Sequence, residues 1–205
     1  MMSHINTVIP HVQQPNQQAS LWRYMGLAAF IAMLSRRSLR LSSVQLFEDK
    51  YEGWPPIAAI RGMKGFLERH IPAEAPRLLD TYENFRRGIF VSCWHQNDVE
   101  SEAMWRIYSL LQEGIAIRTT VERLHHSLGT DRWPGECYAG LVNYGDLAAD
   151  GAIWLPIFPF IKRLSFRHEN EYRLALIKRG PMVRKPSFAQ YAWRKWSKKS
   201  SCLPK

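Results

Sequence analysis

The chain has 205 residues, 46% of them hydrophobic and 12% aromatic, and its formal net charge is +10. This length and composition predict one folded domain with a sizeable core and exclude a wholly disordered chain. The charge is uneven, because residues 178–205 contain nine Lys or Arg and no acidic residue, and the remainder is close to neutral. An argument from charge for nucleic-acid binding therefore applies to the tail alone.

Cysteine usage and hydropathy indicate the compartment. Cys93, Cys137 and Cys202 form an odd, widely spaced set, which argues against a disulfide framework and for a reducing environment. The longest apolar run, residues 25–34, is too short to span a bilayer. Residues 1–20 lack the pattern of a signal peptide and are rich in Gln, Asn and Pro. We therefore expect a disordered leader over 1–20 and a cytoplasmic protein with no membrane partner.

Order is expected to begin at Leu21. The periodicity predicts, in chain order, a strand at 21–25, a helix after it, a strand at 39–43, a polar loop at 47–56 and two helices between 57 and 85. The segment GIFVSCW, residues 88–94, is apolar on both faces, which is typical of a central strand.

Two capping boxes mark the helices of the second half. Asn97 and Glu100 predict the start of one helix, with Gly114 as its end, and Thr119 and Glu122 predict the start of another that ends at Gly129. The other expected elements are a strand at 115–120, a short strand at 141–144, a Pro-rich loop or edge at 154–160 and a last strand at 166–177.

These elements predict a single α+β domain over residues 21–177, with a central sheet of short strands and helices packed on it. After residue 178 the sequence shows neither helical nor strand periodicity. We therefore expect residues 178–205 to be a basic and flexible tail.

The last predicted strand carries two carboxylates one residue apart. Alternate side chains of a strand share a face, so Glu169 and Glu171 would lie together, between Arg167 and Arg173. Two readings are open. In the first, the flanking arginines, or arginines of nearby strands, neutralise the glutamates as a structural ion-pair ladder. In the second, one glutamate orients a substrate hydroxyl or acts as a base while the other positions it.

Arg23 and Arg118 each place a guanidinium in an apolar, strand-like setting, which suits bidentate recognition of phosphate or carboxylate. Pairing with Glu169 or Glu171 is the alternative. Cys93 and His95 alternate on one strand, but no second Cys/His pair has zinc-type spacing, so we expect no metal site.

Several segments resemble a large bacterial family catalogued as a domain of unknown function, number twenty-nine seventy-one. The resemblance rests on RYM, FEDKYEG, VSCWHQNDVESEAMWRIY, IAIRTT, VNY and F-x-HENEYRL in that order, and covers about residues 21–177. It implies no activity. Family members continue with a further strand and helix where this chain has its acid-free tail, a departure that a truncated or frame-shifted copy would show.

The order of Arg23, Ser92 and the Glu-x-Glu of Glu169 and Glu171 is similar to the layout of ADP-ribosyltransferases. VSCW lacks that family's full Ser-Thr-Ser triplet. The resemblance implies an ADP-ribosyltransferase-like fold and NAD as substrate, in a toxin or phage-defence role. Arg23 would hold an NAD phosphate, Ser92 would support the nicotinamide ribose, Glu171 would bind the ribose hydroxyl and Glu169 would steer the acceptor.

Two other functions fit the same sequence. Arg23, Arg118 and the glutamates could form an internal ion-pair network in a non-catalytic binding or regulatory domain. The tail, in which Lys and Arg alternate with Tyr191, Trp193 and Trp196, could instead hold nucleic acid by charge and stacking.

Overall fold

The structure, a computed structural model, describes residues 5–108, 113–128, 133–145, 155–178 and the backbone of 189–192. In these residues helices pack on a central mixed sheet, which confirms the predicted α+β class. The strands are β1 Ile5–Asn6, β2 Ser20–Gly26, β3 Ser38–Ser43, β4 Ile89–Gln96, β5 Gly114–Thr120, β6 Glu136–Leu141, β7 Asn143–Tyr144, β8 Ile161–Lys162, β9 Glu171–Ile177 and β10 Ala189–Ala192. The helices are α1 Leu27–Arg36, α2 Ile57–His70, α3 Leu78–Arg87, α4 Glu102–Tyr108 and α5 Val121–Leu128.

The described strands of the main sheet run in the order β1-β6-β9-β4-β2-β5, with β3 paired to both β4 and β10, and β7 pairs with β8 separately. β1 is parallel to β6, and the other pairs of the main sheet are antiparallel. Every residue of β9 is buried, as expected of a strand covered on both faces. Leu174 and Leu176 pack in one hydrophobic cluster, and Ala175 and Ile177 pack in a second cluster on the opposite face.

β4 has β9 on one edge and two different strands on the other edge. β9 pairs along the length of β4, whereas on the other edge β3 pairs at the beginning of β4 (Ser43 with Phe90) and β2 pairs at its end (Leu21 with Gln96). β2 and β3 therefore diverge from the same edge of β4. This division positions the candidate site.

The strand predicted over 166–177 is shorter than expected. Residues Leu164–Glu169 form a 3₁₀ turn, and Asn170 ends it in the left-handed conformation with φ +37°. Asn tolerates this conformation better than most residues. The strand then begins at Glu171, so the predicted alternation of Arg167, Glu169, Glu171 and Arg173 on one strand face is wrong.

Both helix caps lie one or more residues from their predicted positions. Ser101 precedes α4, and its hydroxyl accepts a hydrogen bond from the Met104 amide at 3.4 Å. The Thr120 hydroxyl accepts from the Arg123 amide at 3.2 Å at the start of α5. Gly114, predicted to end a helix, is instead the first residue of β5. The end predicted at Gly129 lies outside the described residues.

Two further segments differ from expectation. From Ile5 onward the leader packs on the domain, because β1 pairs with β6 and the Ile9 and Val12 side chains are buried. The short strand expected at 141–144 is divided between the end of β6 and β7.

The Pro-rich segment forms 3₁₀ turns at Leu155–Phe160, in keeping with its predicted position outside the sheet. Most of the tail lies outside the described residues; its described part is Lys178 and β10, and β10 is antiparallel to β3. Among the described residues, no helix combines the length and the hydrophobicity needed to cross a bilayer.

Candidate active site

Glu171 opens β9 at the centre of a buried ion-pair cluster. The Nε of Arg173 donates to its Oε2 at 2.6 Å, and the Nη2 of Arg173 donates to its Oε1 at 3.1 Å. The Nζ of Lys162 also donates to Oε1, at 2.8 Å. Burial alone would raise the pKa of Glu171, but Arg173, Glu169 and Lys162 outweigh it and hold that pKa well below its usual range. Glu171 is therefore a fixed carboxylate at neutral pH.

Glu169 lies beside Glu171 but has fewer cationic partners. Its Oε2 accepts a hydrogen bond from Lys162 at 2.7 Å, and among the described residues Lys162 is the only cation in contact with it. Burial and the adjacent Glu171 carboxylate raise the pKa of Glu169 to about 7, against the opposing effect of Lys162. A carboxyl group with a pKa near the ambient pH can both accept and donate a proton.

A third carboxylate completes the cluster. Glu52 has a fully buried side chain, 2.6 Å from Arg173 Nη1 and 3.8 Å from Lys162 Nζ. Neither Glu52 oxygen makes an aligned hydrogen bond in the described residues, so these contacts are ion pairs. The cluster thus combines three carboxylates with two cations and has one negative charge in excess when all five groups are ionised.

A pocket of about 930 Å³ adjoins this cluster where β2 and β3 diverge. Its walls carry two separate groups of charged side chains. The first is the carboxylate cluster of Glu52, Glu169 and Glu171, which includes the cation Lys162. The second is positive and consists of the arginines Arg23, Arg36 and Arg40. Aromatic side chains also line the pocket: Trp22, Tyr24, Phe47, Trp94, Tyr108 and Phe166. It can therefore accommodate a ligand that carries both charges and a planar ring.

Arg23 in β2 brings a guanidinium to the pocket without a carboxylate partner in the described part of the chain. It donates to the Ser92 hydroxyl at 2.9 Å and to the Arg40 carbonyl oxygen at 3.1 Å, and lies 5.5 Å from the Trp94 ring centre. Burial, partly offset by Cys93 and reinforced by Arg40, lowers the pKa of Arg23 to about 10. A half-buried cation whose acceptors are neutral favours a bound anion.

Ser92 is brought to Arg23 but does not line the pocket. It is 1% exposed, and its hydroxyl accepts from Arg23 and from the Trp94 indole at 3.1 Å. The structure thus assigns Ser92 to the support of Arg23, whereas the sequence resemblance implied contact with a ligand.

Arg118 is not part of the pocket wall. It lies on β5, donates to the Ser20 hydroxyl at 3.0 Å, and stacks 5.3 Å from the Trp22 ring centre. Neither Arg23 nor Arg118 pairs with the glutamates. The flanking residue Arg173 does, as one of the sequence-based alternatives proposed.

Cys93 and His95 of β4 also line the pocket, on the face of the sheet that carries Glu171 and Arg173 of β9, because each is paired directly with one of them. Burial and the nearby Glu171 raise the pKa of the Cys93 thiol well above its usual value, so it is not an activated nucleophile. His95 Nδ1 donates to the carbonyl oxygen of Glu169 at 2.6 Å, because a carbonyl can only accept. His95 therefore fixes the backbone from which Glu169 projects.

Sequence reasoning missed Glu52 and Lys162. Glu52 lies in the polar loop at 47–56, where a glutamate before a glycine is unremarkable. Lys162 is the first of two adjacent cations after the apolar run of 155–161, and the sequence does not show that it is buried whereas Arg163 is exposed.

Comparisons with known proteins provide no relative. No protein-family model, curated protein or solved structure matches the chain.

Proposed function

We propose that the chain is an ADP-ribosyltransferase-like enzyme that uses NAD, with the pocket as the donor site. The observation that carries the proposal is the placement of the Glu169–Glu171 pair and of three arginines in the walls of one pocket. NAD combines a cationic pyridinium ring with an anionic pyrophosphate. The carboxylates suit the former and the arginines the latter, and the pocket volume falls within the range of ligand sites.

The chemistry expected at this site divides between the two glutamates. The bond between ribose C1′ and the nicotinamide nitrogen breaks, and its electron pair leaves with neutral nicotinamide. Glu171, held ionised by Arg173, stabilises the positive charge that develops on the ribose ring. An acceptor N–H or O–H then attacks C1′ and passes its proton to Glu169, whose pKa of about 7 suits a general base.

A direct test measures release of nicotinamide from NAD and transfer of labelled ADP-ribose. We expect Arg23→Gln to raise the KM for NAD by roughly tenfold or more, since loss of a charge-assisted hydrogen bond removes about 1.5–3 kcal/mol. Arg118→Gln is the matched control, because Arg118 lies on the neighbouring strand outside the pocket. A folded wild-type protein that neither consumes nor binds millimolar NAD would contradict the proposal.

A non-catalytic binding or regulatory domain is the second candidate, favoured by the buried network of Glu52, Lys162, Glu169, Glu171 and Arg173. In such a domain, substitutions within the network would change the free energy of unfolding without any associated turnover. A measurable rate of NAD cleavage that depends on Glu171 separates the two candidates.

The cellular proposals rest on the sequence resemblance. A bacterial, cytoplasmic enzyme in a toxin or phage-defence role would consume NAD in the cell that contains it. Expression of the wild type should then lower cellular NAD and slow growth, whereas Glu171→Gln should do neither. Unchanged NAD at matched protein levels would argue against this role.

Nucleic acid remains a proposed partner of the basic tail, most of which lies outside the described residues. Nine Lys or Arg without an acidic residue predict binding that weakens steeply with salt. A truncation at residue 192 keeps β10 and removes five of those charges, namely Arg194, Lys195, Lys198, Lys199 and Lys205. Equal affinity of the full and truncated chains for single-stranded nucleic acid would overturn this proposal.

A further inference from the structure

Lys162 occupies the space between the two candidate catalytic carboxylates. It ends the short strand β8, and its Nζ donates to Glu169 at 2.7 Å and to Glu171 at 2.8 Å. The same ammonium lies 4.6 Å from the centre of the Phe166 ring, and the side chain is buried in the pocket wall. One cation thus connects both glutamates and faces the ligand space.

The two cations of the cluster are not equivalent. Arg173 is fully buried and directs its nitrogens to Glu171, to Glu52 and to the carbonyl oxygen of Pro159. It makes no ion pair with Glu169 among the described residues. Arg173 therefore satisfies Glu171, and the ionised form of Glu169 depends on Lys162.

We propose that Lys162 is a positioning residue that holds Glu169 in the ionised state and orientation required for proton transfer in the pocket. This inference rests on the proposed function, because it assigns the residue that makes Glu169 a competent base. The surroundings of Lys162 favour its charged form. Burial would lower its pKa, but Glu171, Glu52 and Glu169 raise it, so the ammonium remains protonated and is not a nucleophile.

Other ionisable groups lie around Glu169. Glu171 is the adjacent carboxylate, the Cys93 thiol interacts with Glu171, Arg173 is the second cation and pairs with Glu171, and His95 contacts the Glu169 backbone. The remaining ionisable groups around the cluster are Glu52 and Asp49 from the 47–56 loop, Tyr108 from α4, Tyr144 from β7 and His168 from the 3₁₀ turn. Because these groups remain when Lys162 is replaced, a changed titration of Glu169 would report the Lys162 contact.

The test follows the carboxyl carbon of Glu169 by NMR during a pH titration of the full chain. Lys162→Met should raise the pKa of Glu169 by roughly one to three pH units, the usual effect of a close opposite charge. Lys162→Arg should keep the pKa close to that of the wild type. Lys64→Met is the matched control, because Lys64 pairs with Glu68 on the exposed face of α2. A Glu169 titration that is the same in wild type and Lys162→Met would overturn the proposal.

Loss of Lys162 leaves buried carboxylates without a cation, so Lys162→Met could fail to fold. In that case a titration of the wild-type protein tests the contact between Lys162 and Glu169. The ζ-nitrogen resonance of Lys162 should change with an inflection at the pKa of Glu169, and this inflection should vanish in Glu169→Gln. A lysine resonance unaffected by that substitution would contradict the proposal.

The kinetic readout separates this inference from the proposed function. If the enzyme consumes NAD, Lys162→Met should move the acidic limb of the pH–kcat profile to higher pH, and Lys162→Arg should return that limb to its wild-type position. If no NAD is consumed, the proposed function fails, but the NMR titration still supports or overturns the role of Lys162.

Discussion

At the scale of single residues, the site depends on how charges are compensated in a buried cluster. Glu171 has a bidentate partner in Arg173, whereas Glu169 shares one lysine and lies against another carboxylate. The same residue type therefore acquires two protonation behaviours from its surroundings, which is the usual basis of acid–base assignments in active sites.

The raised pKa of Glu169 predicts a pH-dependent stability. The folded state binds the proton of the Glu169 carboxyl group more tightly than the unfolded chain does. The free energy of unfolding should therefore decline as pH rises from the ordinary pKa of a glutamate to about 7. In Glu169→Gln this decline should be smaller by up to a few kcal/mol. Urea unfolding at pH 5 and pH 8 measures the difference, with exposed Glu100→Gln as control. An equal decline in both proteins would show that Glu169 titrates normally.

Arg173 should be the most sensitive residue of the cluster. Arg173→Met removes the cation between Glu171 and Glu52 and should lower the free energy of unfolding by about 3–5 kcal/mol. Arg106→Gln breaks an exposed pair with Glu102 and should change it by less than about 1 kcal/mol. Chemical denaturation compares the two variants. If Arg173→Met changed the free energy of unfolding only slightly, water would have to reach the cluster and screen its charges.

At the scale of elements, local patterns predicted most of the sheet and helices. β2, β3, β4 and β5 follow from short apolar runs, and α1, α2 and α3 follow from helical spacing. The pattern did not predict β6, because ECYAGL mixes a charge, small residues and a glycine. It also missed the break before β9, because a left-handed Asn170 leaves little trace in hydropathy.

The leader provides a prediction at this scale. It crosses β6 at Gly140, where a side-chain carbon would overlap Val12 and approach Gln14 Nε2 to 2.7 Å. Gly140→Ala should displace the leader and lower the free energy of unfolding by roughly 1–3 kcal/mol. Gly62→Ala, in the open interior of α2, should instead stabilise by up to about 1 kcal/mol. Hydrogen exchange of residues 5–18 locates the effect, and unchanged protection in Gly140→Ala would contradict this account of the contact.

At the scale of the whole molecule, the site combines segments far apart in sequence. Arg23, Glu52, Lys162 and Glu171 reach one pocket from β2, a loop, β8 and β9. Sequence reasoning found Arg23 and the glutamates because charges interrupt apolar strands there. It could not find Glu52 and Lys162, because a buried ion pair depends on which loops cover the sheet. The position of Ser92 beneath Arg23 likewise depends on the divergence of β2 and β3.

The most direct measurement of the central claim is nicotinamide release from NAD by wild type and Glu171→Gln at pH 8, with both proteins shown to be folded by thermal melting. At this pH Glu169 is largely ionised. We expect the wild type to release nicotinamide, and Glu171→Gln to do so at least about 100-fold more slowly, because removal of one group aimed at charge that develops in a transition state costs about 2.7–4 kcal/mol in the case of an oxyanion-hole donor. Equal rates, or no release by the folded wild type, would contradict the account and leave the glutamates as parts of a structural ion-pair network.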